Sequence, residues 1–320
     1  MSRPEFSIVP LARITAAHRW DIHPFLGPEI PAGLNRSLLE VGILHPPLLL
    51  ELDGGGFEII DGRKRVQAAR EILNLHECPS LVVPPESSPH DILSFLLASQ
   101  GCNAPLSPME KAYFLKICGE FLAPEEIAKL FLPRLTGRGS RTLLPRYRRL
   151  LTLEPGLQKH VHHGLISEAT VLEMLHLEVE DRTTLAALFT DFQMGGGKQR
   201  RFFSLARDVA MRAGTTITAL LAQPPLQEIH EHRQMNAPQK VQSLLAILQQ
   251  MATPSLYRDE QSFKARISTL DLPPSCTVLH SQAFETEEVH LSIRFENFDR
   301  LQMASASLVQ TLKDTGLSGT

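Results

Sequence analysis

The chain has 320 residues, 43% hydrophobic and 21% charged, with a formal net charge of −3. That leaves room for two or three domains with cores of their own and excludes both a disordered chain and a general electrostatic pull toward nucleic acid, so any such attraction has to be local. Cys78, Cys102, Cys118 and Cys276 stand far apart, which excludes a Cys-x-x-Cys zinc or redox motif, and no apolar run reaches the roughly 18 residues of a membrane span, so the expected compartment is the cytoplasm.

In chain order, Phe6 to Pro10 reads as an entering strand. Asn35 to Val41 reads as a short helix, Gly42-Ile43 as a turn, and the stretch through Pro46 to Leu50 as a second strand. Asp53 to Gly56 closes a hairpin onto Phe57 to Ile60, an apolar β-branched strand. Asp61-Gly62 then turns the chain into a helical pattern with Val66, Ala69 and Leu73 on one face. Arg63, Lys64 and Arg65 therefore sit at the first turn of a helix. The helix dipole already makes that end positive, so cations there are unfavourable unless an anion joins them. With a glycine and unpaired backbone N–H groups, the arrangement describes a phosphate cradle. Pro79 to Val83 supplies another strand after the helix.

This order of strand, hairpin, cationic turn, helix and strand resembles the N-terminal domain of the ParB partition proteins. Gly42, Ile43 and Pro46 resemble that family's cytidine-recognising turn. Gly62-Arg-Lys-Arg65 resembles its first phosphate motif, usually Gly-Glu-Arg-Arg, and Leu106-Ser-Pro-Met-Glu110 the Leu-Asn-Pro-x-Glu that opens its second domain. The resemblance covers roughly residues 7 to 220. It implies CTP, or another nucleoside triphosphate, as ligand of Gly42, Ile43, Pro46, Gly62, Arg63, Lys64 and Arg65. Where the family's second phosphate motif reads Glu-Asn-x-x-Arg, this chain has Ser99-Gln-Gly-Cys-Asn103. Serine stands at the Mg²⁺-binding glutamate and asparagine at the phosphate-binding arginine, which argues against Mg²⁺ held there and against fast hydrolysis. No catalytic or metal-ligating residue is assigned. The chain begins almost directly at the folded domain, so no partner ATPase is expected through a basic N-terminal arm.

From Ser107 the pattern is helical, with Ser107 as cap and Pro108 at the first position. Pro124 to Leu130 begins a helix that turns Ile127, Leu130 and Phe131 inward. After Thr136 to Gly139 a second helix is expected over Ser140 to Leu153, which together read as a helix-turn-helix with Leu132 to Leu135 inserted. Pro145 is tolerable only near that helix's start. Arg138, Arg141, Arg146, Arg148 and Arg149 crowd residues 134 to 149 with no acidic residue among them, so they are the candidate contacts to double-stranded DNA. Gly195 to Lys198 lacks the rest of a Walker loop and reads as a flexible loop.

Residues 223–238, rich in proline and polar side chains, read as a linker. A helix from about Gln239 to Met251, strands at Cys276 to His280 and Val289 to Phe295, and a final apolar-striped helix from Phe298 to Leu312 follow. They resemble the dimerising C-terminal domain of the family.

The fold expected is α+β in three parts. These are a ParB-like α/β nucleotide domain (1–100), an all-helical helix-turn-helix domain (101–222) and, past the linker, a small β-β-α dimerisation domain (239–320). The function expected is that of a dimeric, CTP-gated DNA clamp in chromosome or plasmid partition. Two alternatives stand beside it: a transcriptional regulator with a vestigial nucleotide site, and a kinase of the same fold using Glu58 or Asp61 as base.

Overall fold

The structure, a computed structural model, describes residues 3–15, 17, 19–100, 105–137, 139–270, 272, 276–281, 288–295 and 297–299. Arg138 and Asn103 lie outside the described residues, as does the final helix beyond 299. The fold is α+β, and the chain divides into two compact units, Met1–Phe203 and Ser204–Thr320.

The first unit opens with a five-stranded mixed sheet. Its strands are β1 (Glu5–Pro10), β2 (Ile14–Thr15), β3 (Leu48–Glu51), β4 (Phe57–Asp61) and β5 (Glu77–Val83), in spatial order β1-β5-β3-β4-β2. The hairpin of β3 and β4 is antiparallel, with a register shift between Leu48 and Leu49. β3 runs parallel to β5, and the crossover between β4 and β5 is the helix α2 (Arg63–Glu71). β3 is flanked on both sides and covered, which is why Leu48, Leu49 and Leu50 are all buried. β1 is an edge strand and leaves Phe6 and Ile8 exposed. α2 buries Val66, Ala68 and Ala69, and Val66 and Ala69 close a core with Val9, Leu11, Ile14, Leu49, Phe57, Cys78 and Val82. The helix stops at Glu71, so Leu73, expected on its apolar face, lies beyond it and is half-buried. The helix before the hairpin, α1 (Ala32–Val41), ends at Gly42, whose φ of 72° only glycine takes freely. α3 (Pro89–Ser99) follows β5.

The rest of this unit is helical. α4 (Pro108–Cys118) starts with a full capping box, Ser107 and Glu110 each bonding the other's backbone. It packs against α7 (Leu143–Leu150) and α8 (Pro155–His162). Between them, α5 (Pro124–Leu130) is followed at once by the short α6 (Leu132–Thr136), which buries Leu132 and Leu135. The segment read as an insertion is thus a helical turn packed on its apolar residues. Gly137, at φ 71°, ends it. The helix expected over Ser140 to Leu153 is shorter, Leu143–Leu150, and the residues on either side form turns, with Leu143 N–H donating to Ser140 O at 3.1 Å and Leu153 N–H to Leu150 O at 3.3 Å. Pro145 consequently falls in its first turn, where no intrahelical N–H bond is lost.

α9 (Glu168–Met174) and α10 (Val179–Asp191) precede α11 (Gly196–Ala213). Gly196 to Lys198, expected as a flexible loop, form the first turn of α11. The buried Gln199 side chain anchors it to Ser167 N–H and to the carbonyls of Leu165 and Met194.

In the second unit, α12 (Ile217–Leu221) is followed by α13 (Pro224–Glu231). α13 falls inside the span read as a linker, because its prolines occupy the first turn and Leu226 is buried. α13 packs on α14 (Ala237–Ala252), and α15 (Pro254–Ser268) follows. β6 (Cys276–His280) and β7 (Val289–Ile293) pair antiparallel.

Candidate anion cavity and cationic helix face

The phosphate turn forms as its residues require. Gly62 caps α2 at φ 94°, and a Cβ there would lie 2.9 Å from Pro47 Cα and 3.1 Å from Arg65 Cζ, so no other residue fits. The N–H groups of Arg65 and Val66 donate to Gly62 O at 2.9 and 3.1 Å, whereas those of Arg63 and Lys64 precede any acceptor within the helix. Gly62, Arg63, Lys64 and Arg65 line a cavity of about 400 Å³. Its other walls include Trp20, Asp21, His23 and Leu26 from the loop before α1, Asp61 from β4, and Leu106 and Glu110 from the start of α4. Gly42, Ile43 and Pro46 are not among the lining residues. Pro46 and its neighbour His45 instead touch the turn through their carbonyls, which Arg65 Nη1 bonds at 3.2 and 2.6 Å.

Each of the three cations is already engaged. Arg63 meets Asp21 at 2.6 Å and Arg65 meets Asp61 at 3.0 Å. Lys64 is buried and donates to Pro28 O at 2.7 Å and to Gln67 Oε1 at 2.9 Å. Desolvation first, then the charge of Arg63, lowers its pKa. Ser99 is not on the cavity wall, and its hydroxyl donates to Leu96 O at 2.8 Å. The two carboxylates weighed as a kinase base are also occupied. Glu58 accepts from Trp20 Nε1 at 3.1 Å, and Asp61 from Arg65. Among the described residues no group of three or more His, Cys, Asp or Glu is placed to hold a metal ion.

Sequence reasoning passed over the wall opposite the turn. Trp20, the chain's single tryptophan, stacks on Phe121 with centroids 5.3 Å apart and planes at 11°, and Arg19 lies over both rings. His23 Nδ1 and Glu110 Oε1 are 2.7 Å apart, and Ser107 Oγ is 2.9 Å from His162 Nδ1. The His23–Glu110 contact fastens the loop before α1 to the head of α4, the Trp20–Phe121 stack ties it to the segment after α4, and the Ser107–His162 contact joins the head of α4 to α8. Only the lone tryptophan and the capping motif at Ser107 hinted at them.

The pair has a definite pH signature. Burial alone would lower the His23 imidazole. The hydrogen bond and charge of Glu110, with Asp21 and Asp61 behind, outweigh it and raise the pKa above its ordinary 6.5. Burial would likewise raise Glu110, but the bonds from His23 and Ser107 hold it at about 2 against an ordinary 4.5. The His23 contribution is therefore complete below pH 6.5 and disappears as pH rises through its raised value. That of Glu110 is complete above pH 4.5 and disappears as pH falls toward about 2. Denaturant unfolding followed by Trp20 fluorescence should find the first unit about 1 kcal/mol more stable at pH 5.5 than at pH 8.5, the scale of a charge-assisted bond reduced by the partial exposure of His23 to water. Glu110→Gln should remove most of that difference; an undiminished difference would place its origin elsewhere.

The arginines gather on α7 as its sequence demands: Leu144, Tyr147 and Leu150 face inward, leaving Arg146, Arg148 and Arg149 exposed. The fold also brings acids that the local sequence lacks. Arg141 pairs with Glu125, and Arg146 with Glu168 at 2.5 Å. Arg149 donates to Leu172 O at 3.1 Å, while the side chain of Arg148 has no hydrogen-bond or ion-pair partner among the described residues.

No helix among the described residues is long and apolar enough to cross a membrane. No family model matches the chain. Over 147 residues, 46% of its length, it is 31% identical to the chromosome-partitioning protein Spo0J of Thermus thermophilus. It spans about half the length of that curated relative, 51%. Two solved structures of C-terminally truncated ParB from Caulobacter crescentus are similar at low overall superposition. One, complexed to the centromeric parS site, has a TM-score of 0.35 at 18% identity over 60% of this chain and 96% of that one. The other, complexed with CTP-gamma-S, has a TM-score of 0.24 at 20% identity over 57% and 92%.

Proposed function

We propose, from the premise that this chain is a divergent ParB-like protein, that it binds DNA in partition and is gated by a nucleoside triphosphate. The observation that carries the reading is the cavity of about 400 Å³ with Gly62, Arg63 and Arg65 at the head of α2. Backbone N–H groups, helix dipole and guanidinium forks there suit phosphate. Arg63 and Arg65 would hold the phosphates, and CTP is the nucleotide the family resemblance implies. Lys64, turned to Pro28 and Gln67, is assigned to holding the loop before α1 in place. Arg141, Arg146, Arg148 and Arg149 face the DNA in this reading, with α5 to α7 as a helix-turn-helix. Homodimerisation would run through the C-terminal residues, and light scattering with and without residues 276–320 reads it. The protein works in the cytoplasm.

Hydrolysis is expected to be slow. Position 99 offers a hydroxyl already bonded to Leu96 O, not a carboxylate for Mg²⁺. A titration of labelled CTP and ATP, with and without Mg²⁺, should show CTP binding at submillimolar concentration with little phosphate release. Rapid Mg²⁺-dependent release would overturn the hydrolysis half. A second reading, a DNA-binding regulator with a vestigial cavity, is favoured by one observation: all three cations of the turn already have partners in the protein. Absence of any binding at millimolar nucleotide would leave that reading standing.

A further inference from the structure

The two arginines of the turn are held by carboxylates, and this has a consequence for which anions can enter. Arg63 Nη1 lies 2.6 Å from Asp21 Oδ2, and Arg65 Nη2 lies 3.0 Å from Asp61 Oδ2. The four side chains are between 17% and 28% exposed, so the pairs are partly desolvated yet reachable from water. Asp21 is oriented independently of the arginine, since its Oδ1 accepts the N–H of His23 at 2.9 Å. Arg65 keeps a second hold through Nη1 on His45 O and Pro46 O, so Nη2 can change partner without the guanidinium leaving its place. Lys64 is tied to neutral acceptors and takes no part.

We propose that Asp21 and Asp61 are selectivity residues, occupying Arg63 and Arg65 until an anion with charge enough to replace both carboxylates arrives. A polyphosphate meets that demand. A monophosphate can replace one carboxylate, and it then faces the other acid across the cavity at a cost in repulsion. The pairs thus set a charge threshold that admits a nucleoside triphosphate and rejects a monophosphate. This inference rests on the reading of the cavity as a nucleotide site.

The test compares the full chain with Asp21→Asn, Asp61→Asn and the double variant, and with Asp53→Asn in the exposed β3–β4 turn as a control for net charge. Asparagine keeps the side-chain shape and, at 21, the acceptor for His23. Dissociation constants for CTP, CMP and inorganic tripolyphosphate are read from the fluorescence of Trp20, which lines the cavity, with circular dichroism as the check on folding. Each single variant should tighten CMP about threefold and the double variant about tenfold, the range of partly screened ion pairs. CTP and tripolyphosphate, which displace both carboxylates, should tighten at least as much, about tenfold in the double variant, and Asp53→Asn should leave all three constants unchanged. If either asparagine variant fails to fold, serine at the same position replaces it. Affinities for CMP and CTP that are unaltered or weaker in the double variant overturn the role of the two carboxylates and leave the nucleotide site standing. No binding of CTP or tripolyphosphate by any variant at millimolar concentration overturns both.

Discussion

Arg65→Ala should abolish triphosphate binding, weakening CTP by at least about a hundredfold. A charge-assisted bond from Nη2 to a phosphate is worth about 1.5 to 3 kcal/mol, the lost ties to His45 and Pro46 add to it, and each 1.4 kcal/mol is a factor of ten. Arg65 is the most informative of the three cations because its guanidinium joins three pieces of chain. It holds the carbonyls of His45 and Pro46 on one side and Asp61 on the other. Its loss removes a phosphate partner and unties the turn after α1 from the head of α2. Arg65→Lys separates the two effects: it keeps a charge but not the fork, and should recover part of the affinity. Lys64→Met should act mainly on folding, since Lys64 Nζ is spent on Pro28 and Gln67. Calorimetry with CTP reads all three variants, and an Arg65→Ala protein binding CTP within a factor of three of the parent would remove this residue from the site.

Replacing Arg146, Arg148 and Arg149 together with alanine should lower DNA affinity about a hundredfold near physiological salt. The slope of log affinity against log salt should also flatten by about 3. Each lost phosphate contact removes about 0.9 from that slope, and three such contacts account for both figures. Arg148 should contribute most among single variants, because it has no partner to give up, whereas Arg146 must first leave Glu168. Glu168→Gln supplies the converse arm: it releases Arg146 and should strengthen non-specific binding modestly. Titrations of a duplex at several salt concentrations read both quantities. A slope unchanged in the triple variant would move the DNA contact off α7.

Much of the α/β segment was legible from one end of the chain to the other because its signals are local. Alternating or continuous apolar runs marked β1, β3, β4 and β5, and Gly62 had to be glycine whatever surrounded it. Capping residues marked α4 at Ser107 for the same reason: the bonds that start a helix lie within four residues of each other. The same locality explains the errors. Leu132 to Leu135 and Pro224 to Glu231 carry proline at a first helical turn, which punctuates a sequence as a loop does, and only buried leucines beneath them decide for helix. The glycines at 196 and 197 were likewise overridden by one buried amide, Gln199.

What the sequence by itself determined was the presence of a glycine-entered cationic helix start and of an arginine-rich helix face. What only the tertiary structure decided was what those cations meet. Asp21 reaches Arg63 across 42 residues, Glu110 reaches His23 across 87, and Glu168 reaches Arg146 across 22. Charge pairing depends on distance in space and on desolvation, and neither is written in the spacing of residues along the chain. A run of like charges in sequence is therefore a statement about composition, and only the packed structure turns it into a statement about a field.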